Sequence, residues 1–432
     1  HLSLRRQRQM CIRDSGHGYL DLVGAPSGEL ELGGRRAGPG AGLAVATFPG
    51  TEELAEAASS IGLKRTWMVA WRDLDDPEAG GSELHAHRVA ERFAAAGIAV
   101  EMRTSMVAGQ PERVRRAGYE IVRRSGRYGV FPSAALEGLR RRREPGEGLV
   151  EIWNGMPFLS PLWWRGPRTV LLHHVHDEMW KMALGPVLGS IGRSIEHGIA
   201  PPAYRSSRIV TLSQSSREEI GERLHLPLQH VEVVPPGVEG DFSPGGVRST
   251  TPLVVACGRL VPVKRYDELM ASMVVAKERH PNLKLVIVGE GYERAALEAK
   301  RAQLGAEVWI DLPGRVDDDE LLALYRSATL VTSASLREGW GMTLTEAAAC
   351  GTPSVATDIA GHRDAVDGGR SGVLVAEPAD IGATVAALLD DEGRMAQLRE
   401  GALARAAELS WDATARGVLE AFRGQQGLVG GR

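Results

Sequence analysis

The 432-residue sequence has little cysteine, few aromatic residues (5%) and no long apolar run. Its three cysteines, Cys11, Cys257 and Cys350, lack the paired spacing of a disulfide framework or a zinc site, so we expect a reducing, cytoplasmic compartment. No stretch reaches the roughly 18 consecutive apolar residues of a spanning helix, and no secretory leader is visible. Disulfide-rich secreted proteins and membrane-spanning proteins are therefore disfavoured classes.

Charge is moderate overall but uneven along the chain. The composition is 43% hydrophobic and 25% charged with a net charge of −4, which is ordinary for a chain of two or three globular domains. Between Arg113 and Arg143, ten arginines stand against Glu120 and Glu137, a local charge of +8. Two interpretations are open: a solvated face, or a basic surface that rests on anionic lipid.

One segment, VTSASLREGWGMTLTEAAACGTPSVA (331–356), is the most informative. It places Glu338 and Glu346 eight positions apart across a glycine-rich turn that opens a helix near Met342. The unpaired N–H groups at the start of a helix favour an anion such as phosphate. Carboxylates repel phosphate but accept hydrogen bonds from sugar and ribose hydroxyls. The segment therefore indicates a sugar nucleotide, whereas the plainer interpretation is a pair of surface glutamates.

Two cations precede this segment in a strand-to-helix turn. The run PLVVACGRLVPVKRYDELM (252–270) reads as an apolar strand, a turn with Arg259 and Lys264, and a helix. In an open α/β sheet, ligands bind at the carboxyl ends of the strands. Arginine and lysine are the residues that usually bind a diphosphate. Alone, two cations in a loop would more simply be solvated.

Four segments in order resemble the retaining glycosyltransferases of family 4 (glycosyl transferases group 1). They are GRLVPVKRYDELM, LVIVGEGYERAAL, the segment from Glu338 to Glu346, and GTPSVATDIAGHRDAVDGGRSGVLV. The resemblance covers roughly residues 65 to 423. It implies an α/β fold of the GT-B type, in which two Rossmann-like domains with parallel sheets face each other across a cleft and a C-terminal helix crosses back to the first domain.

The resemblance also implies roles for individual residues. Arg259 and Lys264 would bind the donor diphosphate, Glu346 the ribose hydroxyls, and Glu338 would lie near the donor sugar. The histidine that the family places near the sugar is best matched by His173, with His174 and His176 as alternates. The expected catalytic set is Arg259, Lys264, Glu338 and His173. The expected donor-binding set is Gly80, Gly81, Gly258, Arg259, Lys264, Glu338, Gly339, Gly341, Met342, Thr343 and Glu346.

No metal and no cofactor are expected. The histidines of HHVH are spaced by one and two residues, which fits no common helical zinc pair, and no cysteine or carboxylate cluster joins them. Two acidic strings, 73–76 and 317–319, mimic the DxD motif of metal-dependent transferases. We interpret the second as a helix cap and the first as a solvated loop.

The predicted domains are a leader (1–64), a first domain on the acceptor side (65–243), a nucleotide-sugar-binding domain (244–408), and a crossover helix with a tail (409–432). The leader is expected to be disordered or non-native, because RQMCIRDS resembles a translated sequencing adapter. The boundary near 244 follows from the prolines and glycines of VEVVPPGVEGDFSPGG.

The resemblance implies retaining transfer of a sugar from a nucleotide-diphosphate sugar to a lipid-linked, glycan or small-molecule hydroxyl, without a metal. The alternatives are an epimerase or hydrolase, or a non-catalytic nucleotide-sugar-binding scaffold of the same fold. An NAD oxidoreductase is disfavoured because GEGYE lacks the third glycine of the dinucleotide fingerprint. We expect a cytoplasmic protein with no nucleic-acid partner. Peripheral contact with the inner face of the membrane through Arg113–Arg143 stays open as the second interpretation of the basic segment. The segments with Trp153-Asn154-Gly155, HHVH and Trp180 resemble a subgroup whose acceptor stays open.

Overall fold

Strands and helices alternate through the part of the chain that the computed structural model describes, residues 48–425. The strands form two separate sheets, one from each half of the chain. The expectations for residues 1–47 and for the tail after 425 lie outside the described residues.

The first sheet has eight strands in the order β3-β4-β2-β1-β5-β6-β7-β8. Its strands are β1 (Arg65–Val69), β2 (Ala99–Thr104), β3 (Arg113–Arg116), β4 (Tyr119–Arg123), β5 (Glu147–Trp153), β6 (Arg168–Leu172), β7 (Arg208–Thr211) and β8 (Val231–Val233). All neighbours pair in parallel except β3 and β4. This antiparallel hairpin at one edge departs from the predicted parallel arrangement, because only two residues connect its strands and a parallel pair needs a longer crossover.

Helices cover both faces of this sheet. They are α1 (Thr51–Ile61), α2 (Gly81–Ala95), α3 (Val130–Arg140), α4 (Met179–Ser194), α5 (Ala200–Tyr204) and α6 (Gln214–Leu224). Helix α2 has the predicted apolar face, because Ala86, Val89, Ala90 and Phe93 recur at helical spacing and are all buried in the main core of this domain. Helix α4 is kinked at Gly185, whose φ of +74° is non-helical.

The folded chain begins earlier than the sequence predicts. Helix α1 lies inside the expected leader, and its residues Leu54, Ala58 and Ile61 are buried in the core of the first domain. These positions follow a spacing of four and three residues, which places them on one helical face. The prediction of disorder in the leader is therefore wrong for the residues of α1, whereas its native origin stays untested.

The second sheet has six parallel strands in the order β11-β10-β9-β12-β13-β14. They are β9 (Leu253–Cys257), β10 (Lys284–Val288), β11 (Ile310–Gly314), β12 (Leu330–Ser333), β13 (Ser354–Thr357) and β14 (Gly372–Val375). The central strands are short, mostly apolar runs buried on both faces, as in LVIV of β10, whereas the edge strands β11 and β14 are only partly buried. The predicted boundary near residue 244 lies in the connection between β8 and β9.

Seven helices flank the second sheet within the described range, and an eighth returns to the first domain. They are α7 (Tyr266–Arg279), α8 (Arg294–Gln303), α9 (Asp318–Ser327), α10 (Met342–Ala349), α11 (His362–Ala365), α12 (Ile381–Leu389), α13 (Glu392–Ala407) and α14 (Trp411–Glu420). Short 3₁₀ turns lie at Ser160–Leu162, Leu228–His230, Pro262–Lys264 and Pro378–Asp380, and a π turn at Ile195–Ile199.

The crossover helix packs on the first domain as predicted. Ala415, Val418 and Leu419 of α14 and the following Phe422 belong to the same core as α1 and α2. Gly148 in β5 allows this approach, since a β-carbon there would lie 2.6 Å from the Phe422 ring. Together the two parallel-sheet domains and the returning helix confirm the GT-B architecture.

Among residues 48–425, we find no helix with both the length and the apolar character needed to cross a bilayer.

Candidate active site

Three of the predicted site residues lie where two neighbouring strands of the second sheet end. Arg259 and Lys264 follow β9, and Glu338 follows β12, which pairs with β9. Because both strands run in the same direction, the turns after them meet at one edge of the sheet. All three side chains are half-buried.

Lys264 and Glu338 form an ion pair. The Lys264 ammonium donates to Oε1 of Glu338 at 2.5 Å, and the Ser335 hydroxyl donates to the same oxygen at 2.9 Å. Burial opposes ionisation of this carboxyl, but Lys264, His362 and Ser335 outweigh it and lower the pKa of Glu338 to about 2. Glu338 is therefore a carboxylate at neutral pH. A β-carbon at Gly258 would lie 3.3 Å from Nζ of Lys264, so this glycine borders the pair.

Helix α10 begins at Met342, as predicted. Gly341 precedes it with φ of +109°, a conformation that favours glycine. The first N–H groups of α10, including that of Thr343, follow Glu338 by only a few residues. Glu346 lies one turn further on, where it accepts a hydrogen bond of 3.3 Å from the buried hydroxyl of Tyr325.

The loop between Glu338 and α10 runs against the first domain. A β-carbon at Gly339 would lie 2.4 Å from the carbonyl oxygen of His173. One at Gly361 would lie 2.7 Å from the carbonyl oxygen of Glu338. Side chains are excluded at both positions, so the loop that carries Glu338 packs closely between the chain after β6 and the start of α11.

Gly80 and Gly81 face the second domain from the opposite wall of the cleft. A β-carbon on Gly80 would lie 3.6 Å from Nε of Arg259, and one on Gly81 would lie 3.2 Å from Sδ of Met342. Both glycines stand at the start of α2. The structure thus brings most of the predicted donor-binding residues together where the two domains meet, and Thr343 and Glu346 lie in the first turns of α10 beside them.

The three histidines of HHVH have different surroundings. His173 is buried, and its Nε2 lies 3.0 Å from Nδ1 of His85 on α2, within the first domain. His174 and His176 are half-buried, and their rings stack at 4.5 Å. Burial lowers the pKa of His173 to about 4 and that of His174 to about 3. All of these imidazoles are therefore neutral at pH 7.

Several contacts join the domains beside the site. Arg337, which precedes Glu338, pairs with Glu219 on α6 and donates to the carbonyl oxygen of Val175 at 3.3 Å. Asp364 on α11 accepts the backbone N–H of Gln214 at 2.9 Å, at the start of α6. The second domain therefore contacts α6 at two points.

The two acidic strings serve structural roles. Asp317 accepts the N–H of Glu320 at 2.8 Å and caps α9, as predicted. The prediction of a solvated loop is wrong for Asp73, which is fully buried against Arg116, Arg123 and His87. Burial opposes its ionisation, but these three partners hold the pKa of Asp73 far below its usual range. Among residues 48–425, no cluster of histidine, cysteine and acidic residues has the arrangement of a metal site.

The arginine-rich segment is largely paired. Arg116 and Arg123 are buried with Asp73 and Asp75, and four further arginines contact carboxylates: Arg113 with Glu120, Arg124 with Glu112, Arg127 with Glu78, and Arg141 with Glu101 and Glu147. The local charge of +8 is therefore not displayed as one continuous surface. Arg115, Arg140, Arg142 and Arg143 remain exposed.

Sequence reasoning assigned no role to His85, Ser335 or His362. His362 lies within the quoted segment GTPSVATDIAGHRDAV, and a β-carbon on Gly341 would lie 3.0 Å from its ring. Ser335 lies three residues before Glu338, which was a usable signal for a local hydrogen bond. His85 gave no such signal, because its partner is 88 residues away.

Comparison with known proteins agrees with this architecture. The family described as Glycosyl transferases group 1 matches residues 239–405, and Glycosyltransferase Family 4 matches residues 79–242. A protein of Salinispora arenicola named D-inositol 3-phosphate glycosyltransferase is 30% identical over 393 residues, which cover 80% of this chain and 87% of that protein. The chain belongs to glycosyltransferase family 4. A relative of the same name from Thermobispora bispora is 29% identical over 406 residues, covering 83% of this glycosyltransferase and 93% of the relative.

Solved structures share the fold at low identity. Sucrose-phosphate synthase from Thermosynechococcus elongatus superposes with a TM-score of 0.67 at 19% identity, covering 82% of this glycosyltransferase and 96% of that protein. Anabaena HepE in complex with UDP and glucose gives a TM-score of 0.64 at 16% identity, with coverages of 83% and 98%.

Proposed function

We propose that this glycosyltransferase moves a sugar from a nucleotide-diphosphate sugar to an acceptor hydroxyl, with retention at the anomeric carbon and without a metal. The observation that carries the proposal is the meeting of Lys264, Arg259 and the first turn of α10 beside the carboxylate of Glu338. Two cations and a helix start suit a diphosphate, and a carboxylate suits sugar hydroxyls. The structural neighbour HepE, solved with UDP and glucose, supports a donor of this class.

Retention favours attack on the face that the diphosphate leaves. In this step the bond between the anomeric carbon and the diphosphate oxygen breaks, a new bond forms to the acceptor oxygen, and the acceptor proton passes to the leaving diphosphate. A double displacement would instead need a carboxylate nucleophile about 5 Å from its partner acid at the sugar. Glu338, the carboxylate that we propose lies near the donor sugar, is held by Lys264. Lys264, Arg259 and α10 would therefore act mainly by stabilising the diphosphate as it departs.

The acceptor is the less constrained substrate. Relatives carry the name D-inositol 3-phosphate glycosyltransferase, so that compound is the first acceptor to test. Lipid-linked and glycan acceptors remain alternatives. Peripheral contact with anionic lipid is supported by Leu136 and Leu139, which are exposed on α3 next to the exposed Arg140, Arg142 and Arg143. We place the protein in the cytoplasm, at the inner face of the membrane.

A donor and acceptor panel tests the proposal. Purified protein is incubated with UDP-, GDP- and ADP-sugars, with and without D-inositol 3-phosphate, free sugars or a lipid extract, and in buffer containing EDTA. We expect release of nucleoside diphosphate that depends on the acceptor and persists in EDTA. Release without an acceptor would favour a hydrolase or epimerase, and binding without release a scaffold. Inversion at the anomeric carbon of the product would contradict the proposed stereochemistry.

A further inference from the structure

Three segments of the first domain meet beside the site of Lys264, Arg259 and Glu338. They are Trp153-Asn154-Gly155 at the end of β5, His174 to His176 after β6, and Trp180 near the start of α4. The rings of His174 and His176 stack with centroids 4.5 Å apart and planes 11° from parallel, and His176 lies 5.2 Å from the Trp180 ring. We call these three side chains the ring stack. Gly155 leaves room for it, since a β-carbon there would lie 2.9 Å from Nε2 of His176.

One buried carboxylate holds the ring stack. Glu196 is fully buried and accepts hydrogen bonds from the N–H of His176 at 2.8 Å, the N–H of Asp177 at 2.9 Å and the indole N–H of Trp180 at 3.0 Å. Hydrogen bonds to a carboxylate are stronger than those between neutral groups. Glu196 therefore fixes the backbone at His176, whose ring is the central one, and also the indole ring of Trp180 at one end of the stack.

Polar atoms of this region lack partners. Nε2 of His174, Nδ1 of His176 and Oδ1 of Asn154 are sheltered from solvent and have no hydrogen-bond partner among residues 48–425. Buried polar atoms left unpaired are uncommon because each costs free energy. Asn154 is itself held in place, since its amide donates to the Ser82 hydroxyl at 2.5 Å. A ligand with hydroxyl groups would supply the missing partners.

The position of the ring stack indicates which ligand this is. The chain on either side of His174 contacts the loop of Glu338, because a β-carbon on Gly339 would lie 2.4 Å from the carbonyl oxygen of His173 and Arg337 donates to the carbonyl oxygen of Val175 at 3.3 Å. The stack therefore borders the site proposed for the donor sugar. It belongs to the first domain, opposite the cations that suit the diphosphate. Neutral imidazoles and an amide can each donate to and accept from hydroxyls, and flat rings pack against the C–H groups of a saturated ring.

We propose that the ring stack and Asn154 form the acceptor subsite, that this subsite recognises a hydroxyl-bearing ring such as a sugar or cyclitol, and that Glu196 is the positioning residue that orders it. The inference rests on the transferase function proposed above and specifies the chemistry of its acceptor.

The test compares Glu196→Gln and Asn154→Ala with the wild type. Release of nucleoside diphosphate from the donor selected in the panel is followed during titration with D-inositol 3-phosphate, with methyl α-mannopyranoside, or with farnesyl phosphate, which has no ring. We expect at least one ring compound to stimulate the wild type. Both substitutions should raise the KM for that compound at least tenfold while kcat falls less than threefold and the KM for the donor changes less than twofold. Glu222→Gln, at an exposed position on α6, is the matched control and should match the wild type.

Three results would overturn the inference. If both variants lose kcat and leave the acceptor KM within twofold, Glu196 and Asn154 have only a structural role. If farnesyl phosphate stimulates the wild type and neither ring compound does, the subsite does not recognise a ring. If no compound stimulates the wild type, the transferase function fails as well, an outcome distinct from the first two. Asn154→Ala leaves the contacts of Glu196 in place, so the test holds even if Glu196→Gln unfolds.

Discussion

Replacing Lys264 by alanine tests the central ion pair of the site. The substitution removes the ammonium that lies 2.5 Å from Oε1 of Glu338. The pKa of Glu338 is about 2 against an ordinary value of 4.5, and at about 1.4 kcal/mol per pKa unit this difference corresponds to about 3 kcal/mol. Ser335 and His362 contribute part of it, and both charged side chains are about one-fifth exposed, at 19% and 22%. After discounting for solvent screening, we expect a loss of about 1 to 2 kcal/mol in the free energy of unfolding.

The effect on catalysis should exceed the effect on binding. If the ammonium stabilises the departing diphosphate, kcat should fall by about 100- to 1000-fold. The affinity for the nucleoside diphosphate should fall less than about tenfold, because Arg259 and the first turn of α10 remain. Single-turnover release measures the first quantity and calorimetric titration with the nucleoside diphosphate measures the second. Lys284→Ala, exposed at the amino end of β10 and so away from the carboxyl ends, is the control.

Two outcomes would refute this reasoning. Equal losses in kcat and in nucleotide affinity would mean that Lys264 binds the ground state and the transition state alike.

The second outcome concerns the dependence of stability on pH. Because its folded pKa is depressed, Glu338 contributes stability above its unfolded pKa of about 4.5 and loses it as the pH falls toward 2. Urea unfolding at pH 7 and pH 3 should therefore show a smaller difference for Lys264→Ala than for the wild type, and an unchanged difference would contradict the ion pair.

Three further predictions concern the framework of the site. Gly339→Ala should destabilise the protein by about 1 to 3 kcal/mol in urea unfolding, because its β-carbon would lie 2.4 Å from the carbonyl oxygen of His173, whereas Gly240→Ala meets nothing within 4 Å and should not. Burial lowers the pKa of His173 to about 4 and that of His174 to about 3, so both rings stay neutral in the folded protein at a pH where they are protonated in the unfolded chain. The urea midpoint should therefore be flat above pH 7 and fall from pH 6.5 to 4. Asp73→Ala should cost about 3 to 5 kcal/mol in the same assay, because it leaves two buried guanidinium groups short of a partner, and a loss below 1 kcal/mol would show that the cluster is hydrated.

Much of the fold could be predicted because its signals are local. Each pattern that predicts an element lies within about ten residues, as in the apolar run of β9, the turn with Arg259 and Lys264, and the glycine before α10. The convergence of the site followed from one rule, that parallel strands end at the same edge of the sheet. The resemblance to family 4 added the second domain and the crossover helix.

The features that could not be predicted from the sequence depend on contacts between residues far apart in the chain. Asp73 resembled a solvated residue in a polar loop, but its charge is matched by Arg123, 50 residues later. Because Asp73 pairs with both Arg116 and Arg123 in the interior, these two arginines do not contribute to the basic surface that the charge count predicted. The apolar face of α1 consists of only three residues. It can be identified as a face that packs on the core only when the contribution of α14 to that core is known. Local patterns carry no information about such matches.

The positions of Arg337 and Glu338 link the donor site to the arrangement of the domains. Arg337 binds the first domain through Glu219 and the carbonyl oxygen of Val175, while the next residue, Glu338, pairs with Lys264 in the second domain. Adjacent Cα atoms are fixed about 3.8 Å apart, so neither residue can move far without the other. A separation of the domains that broke the Arg337 contacts would release the loop that carries Glu338, and the carboxylate would then be held by Lys264 and Ser335 alone. The geometry around Glu338, where we propose that the donor sugar binds, therefore depends on contacts that exist only while the two domains touch.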